Sequence, residues 1–242
     1  MCGHAIIALT KLVIESGVAR GPHVSFNVPA GRIEATATID NGQVVRTAFR
    51  NVPSFLYRRD QPIRVDRMGV VRCDIAYGGA FYAIVDCVPL GLKLDPTNYL
   101  ELIHAGREIK HAAMKTVSIE HPFEPDLSFL YGAIFTGPAR EPGHHSRNVC
   151  VFAEGEVDRS ATGSGVSARA ALHYAKRELA FNEKITIESI LGTTMTVQVV
   201  AEKKFGPYDA VVPEVSGTAF VTGRNEWCFD PDDPLCRGFI FR

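Results

Sequence analysis

The chain has 242 residues, 46% of them hydrophobic and 22% charged, close to the averages of soluble globular domains and far from those of disordered, collagenous or coiled-coil chains. Lys and Arg number 26 against 27 Asp and Glu, a formal net charge of -1, so neither nucleic acid nor a membrane surface is expected as a partner. Six scattered cysteines, no basic leader and no apolar run of about 20 residues lead to the expectation of a reducing, cytoplasmic setting.

Residues 5–16, AIIALTKLVIES, form an apolar stretch ended by Gly17, which predicts a buried helix with a C-cap glycine. The pieces HVSFNV, RIEATATID, QVVRTAFR and GVVRCDIAYGG are rich in β-branched residues and separated by Pro, Gly and Asn, as in an antiparallel meander. A further strand, AFYAIVD, follows. Between these pieces Tyr57-Arg58-Arg59 reads as solvated surface, as does Lys203-Lys204 later in the chain. Residues 96–117 carry Leu102, Ile103, Ile109, Ala113 and Met114 at helical spacing and predict a crossing helix.

The order then repeats. Strands near SFLYGAIF and RNVCVFA flank 137–147, GPAREPGHHSR, which reads as a surface loop. After a glycine-rich turn comes the helical pattern VSARAALHYAKRELA, and then strands in ITIESILG, TMTVQVVAEK, YDAVVPEVSG and TAFVTG. Two units of strands, each with one glycine-led helix, give an α+β class with no doubly wound alternation. The expected lobes are 1–112 and 113–225, with 226–242 returning to the first.

Two turns carry candidate chemistry. Met1-Cys2-Gly3-His4 opens the first helix, where a helix N-terminus lowers a thiol's pKa and raises its thiolate fraction. Asp158-Arg159-Ser160-Ala161-Thr162-Gly163-Ser164-Gly165 opens the second, and its glycines leave backbone N–H groups free to meet an anion. Cys2 and Thr162 are therefore expected to face each other across one site. Taken singly, the turns are also compatible with a chain start and a capped helix. GSGVSA matches the dinucleotide pattern G-x-G-x-x-A, but no strand leads into its first glycine, and the phosphate-loop lysine is absent. His144-His145 has no carboxylate or Cys at ligand spacing, and Asp230, Asp232 and Asp233 lack the glycine and terminal glutamate of a calcium loop, so no metal and no cofactor is expected.

Taken together, MCGHAIIAL, DIAYGGAFYAIVD, DLSFLYGAIFTG, NVCVFAEGEVDRSATGSGVSARAALHY and DPLCRGFIF resemble the proline racemase family from end to end. Racemases and epimerases of that family carry DRSPCGTG, with a second catalytic cysteine where this chain has Thr162. The threonine form resembles the family's trans-3-hydroxy-L-proline dehydratases. The resemblance implies a diaminopimelate-epimerase-like fold of two pseudo-symmetric lobes with an imino acid substrate between them, and a homodimer as one expected assembly. It makes Cys2 the catalytic thiol, with Thr162 opposite. It places Gly3, His4, Phe152, Asp158, Gly163 and Ser164 on the substrate, Asp158 at its amine, Gly163 and Ser164 at its carboxylate, and Phe152 as a pocket wall.

Family members have a segment ahead of MCGH, so an incomplete first lobe with exposed strand edges is expected. Three alternatives stay open. One is a racemase-like or epimerase-like isomerase. The second is an N-terminal-nucleophile amidohydrolase in which removal of Met1 makes Cys2 both nucleophile and base. The third is an inactive fragment that persists by pairing with another chain.

Overall fold

In a computed structural model, which describes residues 1–240, the helix α1 (Gly3–Glu15) is followed by an antiparallel meander of β1 (His23–Val28), β2 (Gly31–Asp40) and β3 (Gln43–Arg50). α1 lies against β2 and β3 and buries Gly3, Ile6, Ile7 and Thr10. Its other face leaves Leu9 and Leu12 exposed, so the helix is half-buried, not enclosed as expected. Apolar residues surround this helix, whereas the meander covers one side of it. Gly17, at φ 75°, follows the C-cap Ser16 and makes the left-handed stop after α1 for which the sequence supplies a glycine.

The rest of the chain builds a closed ring of strands. β4 (Phe55–Val65), β5 (Gly69–Tyr77) and β6 (Phe81–Asp86) run antiparallel, and β6 pairs in parallel with β7 (Leu130–Gly137). β8 (Ser146–Phe152) continues the order, with the short β9 (Glu156–Val157) on its flank. Then come β10 (Ile185–Glu188), β11 (Thr194–Phe205) and β12 (Tyr208–Gly217). Ser54, just ahead of β4, exchanges two 2.8 Å backbone hydrogen bonds with Val211 of β12, which closes the ring. β12 also pairs with β3, joining the ring to the meander in one twelve-stranded mixed sheet. Residues 55–86, assigned from sequence to the first lobe, thus hydrogen-bond into the strands of the second.

Inside the ring runs α3 (Gly163–Ala175), and every residue from Gly163 to Leu172 is buried. Its sequence, GSGVSARAALHYA, is built of small residues because the surrounding strands leave little room. A Cβ on Gly78, at the end of β5, would stand 2.1 Å from the Ser164 carbonyl oxygen of α3. α2 (Tyr99–Thr116) packs outside the ring on β4, β7 and β8 through Leu102, Gly106, Ile109 and Ala113.

Three local expectations are sharpened or corrected. In Tyr57-Arg58-Arg59, part of β4, Arg58 and Arg59 are exposed as expected, but Tyr57 is buried beneath the Arg58 guanidinium, which stacks over its ring at 4.2 Å. The 137–147 stretch is the surface loop expected, but it is tied down, because the Arg140 and Glu141 amides, His144 and Arg147 all converge on the fully buried Glu188. TAFVTG is irregular and exposed, since its β-favouring residues meet no partner strand among the described residues. Among those residues no helix is long and apolar enough to cross a membrane.

Candidate active site

The ring and the meander bring the N-termini of α1 and α3 into contact. A Cβ on Gly3 would lie 2.7 Å from the Gly163 Cα, and one on Gly163 would lie 2.8 Å from the Gly3 Cα. Only glycine at both positions lets the helix starts approach so closely. Cys2 and Thr162, the N-caps immediately before them, therefore flank a single junction. The first-turn amides of both helices lack intrahelical acceptors there, and both dipoles favour negative charge.

On the α1 side, Cys2 is extended at φ -123° and ψ 103°, and its thiol is free. Burial alone pushes a thiol's pKa up, but the His4 side chain and the Ala5 amide both favour the thiolate and bring it below its ordinary value. His4 is itself held as an imidazolium, with its pKa raised to about 10 chiefly by Asp158, whose Oδ2 lies 3.3 Å from Nδ1, and next by Cys2. Asp158 is buried, which pushes its carboxyl pKa up, yet His4 and Ser160 hold it below the usual carboxylate range. A carboxylate, an imidazolium and a thiol of lowered pKa thus lie in sequence.

On the α3 side, the turn is knitted around Asp158. Its Oδ1 accepts from the Ser160 amide at 2.8 Å and its Oδ2 from the Thr162 hydroxyl at 2.9 Å, while the Thr162 amide donates to Ser160 Oγ at 3.0 Å. Thr162 takes φ 65° and ψ 93°, a strained backbone for a β-branched residue. Its hydroxyl proton is committed to Asp158. Cys150, next to Thr162 and Asp158, is fully buried, and burial pushes its thiol pKa far up, so it stays neutral and supplies no second base. Ser164 meets the buried Tyr82 hydroxyl at 2.7 Å.

A cavity of about 400 Å³ opens beside Cys2, lined by Ile6, Val28, Gly79, Phe129 and Tyr131 among others. Of the predicted residues, Cys2 alone lines it, and the His4–Asp158–Thr162 cluster joins it through Cys2. Phe152 stands behind the wall, stacked on Tyr131 with ring centroids 5.4 Å apart. Tyr131 is the ring the sequence reading missed, although it sits in the SFLYGAIF strand two residues from Phe129. A larger cavity, about 910 Å³, lies at the opposite end of α3 around Tyr174, Leu179 and Phe181, away from both helix N-termini. The two neighbouring histidines are occupied elsewhere: His144 pairs with Glu188, and His145 with Ser146.

The model of a family described as proline racemase matches residues 1–240. The chain belongs to the proline racemase family. A protein of Colwellia psychrerythraea named trans-3-hydroxy-L-proline dehydratase is 50% identical over 246 residues, covering 100% of this chain and 69% of that protein. One of Burkholderia multivorans named 3-hydroxyproline 2-epimerase is 40% identical over 245 residues, covering 100% and 73%. Among solved structures, a hydroxyproline epimerase from Agrobacterium vitis with bound trans-4-hydroxy-L-proline is 30% identical, with a TM-score of 0.90 and coverage of 100% and 70%. The fold is that of the proline racemases and hydroxyproline epimerases, related to diaminopimelate epimerase, and membership displaces the amidohydrolase alternative.

Proposed function

We propose that the chain is a hydro-lyase that converts trans-3-hydroxy-L-proline to pyrroline-2-carboxylate and water. The observation that carries this reading is the asymmetry of the junction. Cys2 on one side is a thiol with a lowered pKa, whereas Thr162 on the other is a hydroxyl bonded to Asp158. Racemisation needs a proton acceptor on one face of the α-carbon and a donor on the other, and a threonine hydroxyl is far too weak an acid to fill either role near neutral pH. Elimination needs one face.

In trans-3-hydroxy-L-proline the carboxylate and the hydroxyl lie on opposite faces of the ring, so the α-hydrogen and the hydroxyl share a face. The Cys2 thiolate takes the α-proton as the Cα–H bond breaks. The electron pair forms the Cα–C3 double bond as the C3–O bond breaks, and the thiol returns its proton to the departing hydroxide. The resulting enamine tautomerises to the cyclic imine.

Negative charge that builds on the carboxylate meets the first-turn amides of α3, Gly163 and Ser164, each such donor being worth about 3 kcal/mol of barrier. Asp158 receives the ring amine, and Gly3 and His4 sit beside the reacting thiol. Tyr131, backed by Phe152, forms the aromatic side. The dehydratase name of the 50% identical relative supports the same reading. The test is turnover of trans-3-hydroxy-L-proline followed by ultraviolet detection of the imine. Product whose formation is lost in Cys2→Ser is expected, and a folded wild-type chain that forms none would overturn the reading.

A further inference from the structure

Behind the 158–162 turn lies a buried polar chain to which the proposed chemistry assigns no role. Asn148 of β8 is completely buried; its Nδ2 donates to the Ala161 carbonyl at 3.1 Å, and its Oδ1 accepts from Arg169 Nη1 at 2.9 Å. The same Nη1 donates to Ser146 Oγ at 2.7 Å, and Nη2 reaches His173 Nε2 at 3.0 Å. His173 Nδ1 in turn lies 2.7 Å from Glu178 Oε2.

The donor and acceptor roles are fixed by chemistry. A guanidinium only donates, so the Asn148 oxygen must face Arg169 and its amide N–H groups must face Ala161. His173 must accept at Nε2, which leaves its proton on Nδ1 for Glu178. Burial, followed by the neighbouring Arg169, pulls the His173 pKa down to about 4, in keeping with a neutral ring. Arg169 is buried on α3 with its Nε unpartnered and reaches a carboxylate only through His173. Burying a cation in this way is costly, and a well-packed apolar residue would fill the ring at less cost.

What the cost secures is the peptide between Ala161 and Thr162. Its carbonyl is held by Asn148 and its N–H by Ser160 Oγ, so both ends are pinned. That peptide sets the strained φ of Thr162 and aims the first amides of α3, and strained backbone persists only where its surroundings over-determine it. We propose that Asn148 and Arg169 are positioning residues, whose hydrogen bonds hold the 158–162 turn in the geometry that places Asp158 and the α3 amides on the substrate. The proposal rests on the dehydratase reading for its substrate, but the turn also feeds Cys2 through Asp158 and His4, which gives a readout independent of turnover.

Asn148→Asp separates positioning from packing. It keeps the shape and an acceptor for Arg169, now as an ion pair, but sets a carboxylate oxygen against the Ala161 carbonyl where the N–H had been. Its thermal midpoint should stay near that of wild type. Its kcat on trans-3-hydroxy-L-proline should fall at least tenfold. The pH midpoint of Cys2 alkylation by iodoacetamide, read on the N-terminal peptide by mass spectrometry, should rise. Arg169→Lys, which cannot reach all three acceptors, should move both readouts in the same direction by less. A folded Asn148→Asp protein with kcat within twofold of wild type and an unmoved alkylation midpoint would overturn the proposal. So would failure of both variants to fold, which would make the chain a part of the ring's core. If the wild type does not turn over the substrate, the dehydratase reading fails and the alkylation midpoint alone decides this one.

Discussion

Replacing Asp158 with Asn probes the electrostatic relay from the second turn to the thiol. Asp158 is the chief cause of the raised His4 pKa of about 10, against an ordinary value of 6.5. Without that carboxylate the His4 pKa falls back toward 6.5, keeping only the lift from Cys2, so the cation beside the thiol is weakened. Opposite charges about 4 Å apart are worth about 1 kcal/mol in water and about 4 kcal/mol at an effective dielectric of 20. His4 is 47% exposed, and removing the Asp158 charge, which itself disfavours the thiolate, offsets part of the loss, so the net effect is about 1 kcal/mol, or roughly a fivefold lower thiolate fraction at neutral pH. Loss of the bond proposed between Asp158 and the substrate amine adds about 2–5 kcal/mol, so kcat/KM should fall by about a hundredfold or more.

Alkylation of Cys2 against pH isolates the first effect, provided it is read on the N-terminal peptide, because Cys228 is also exposed. In the wild type, reactivity should rise as pH passes the lowered Cys2 pKa, and His4 should keep its proton until about pH 10. In Asp158→Asn the rise should move to higher pH. A folded Asp158→Asn protein with the wild-type alkylation profile would refute the relay.

Two further predictions concern the junction and the buried Glu188 cluster. Gly3→Ala puts a methyl group 2.7 Å from the Gly163 Cα, where both sides are backbone and neither can yield, so it should cost about 1–3 kcal/mol in urea denaturation and most of the activity. Glu188→Gln leaves Arg147 buried without its carboxylate and should cost about 3–5 kcal/mol. Burial alone would raise the Glu188 pKa, but the Arg140 and Glu141 amides, His144 and Arg147 bring it down to about 2. Its contribution is therefore complete above the ordinary value of 4.5 and lost as pH falls through about 2, and the gap between wild type and Glu188→Gln should shrink accordingly in denaturation at pH 3.

Most strands were legible because β-branched residues alternate between turn residues, as in RIEATATID and YDAVVPEVSG. β4 was not. Its centre, RRDQP, holds register shifts between Leu56 and Arg58 and between Arg58 and Gln61, with Asp60 at φ 49°, and a bulged strand loses the period of two on which such reading depends. α3 was expected from Val166, but it begins at Gly163, since Gly and Ser have poor helix propensity and only enclosure by the ring makes them helical. Ring closure between Ser54 and Val211 joins residues far apart in sequence, and no local pattern reports it. The two glycine-led turns were legible, because each keeps its distinctive residues within eight positions. Their contact through Gly3 and Gly163, the support from Asn148 and the ring of Tyr131 all depend on packing that a linear reading does not contain.

In the mechanism proposed above, one thiol works one face of the substrate while Thr162 is silent in proton transfer. Proton NMR of trans-3-hydroxy-L-proline incubated in D2O with the wild type, beside Thr162→Cys, tests it most directly. The wild type should give the dehydrated imine and no cis-3-hydroxy-D-proline, and Thr162→Cys should begin to form that epimer. Epimer accumulating with the wild-type enzyme would show a second working base and contradict the account.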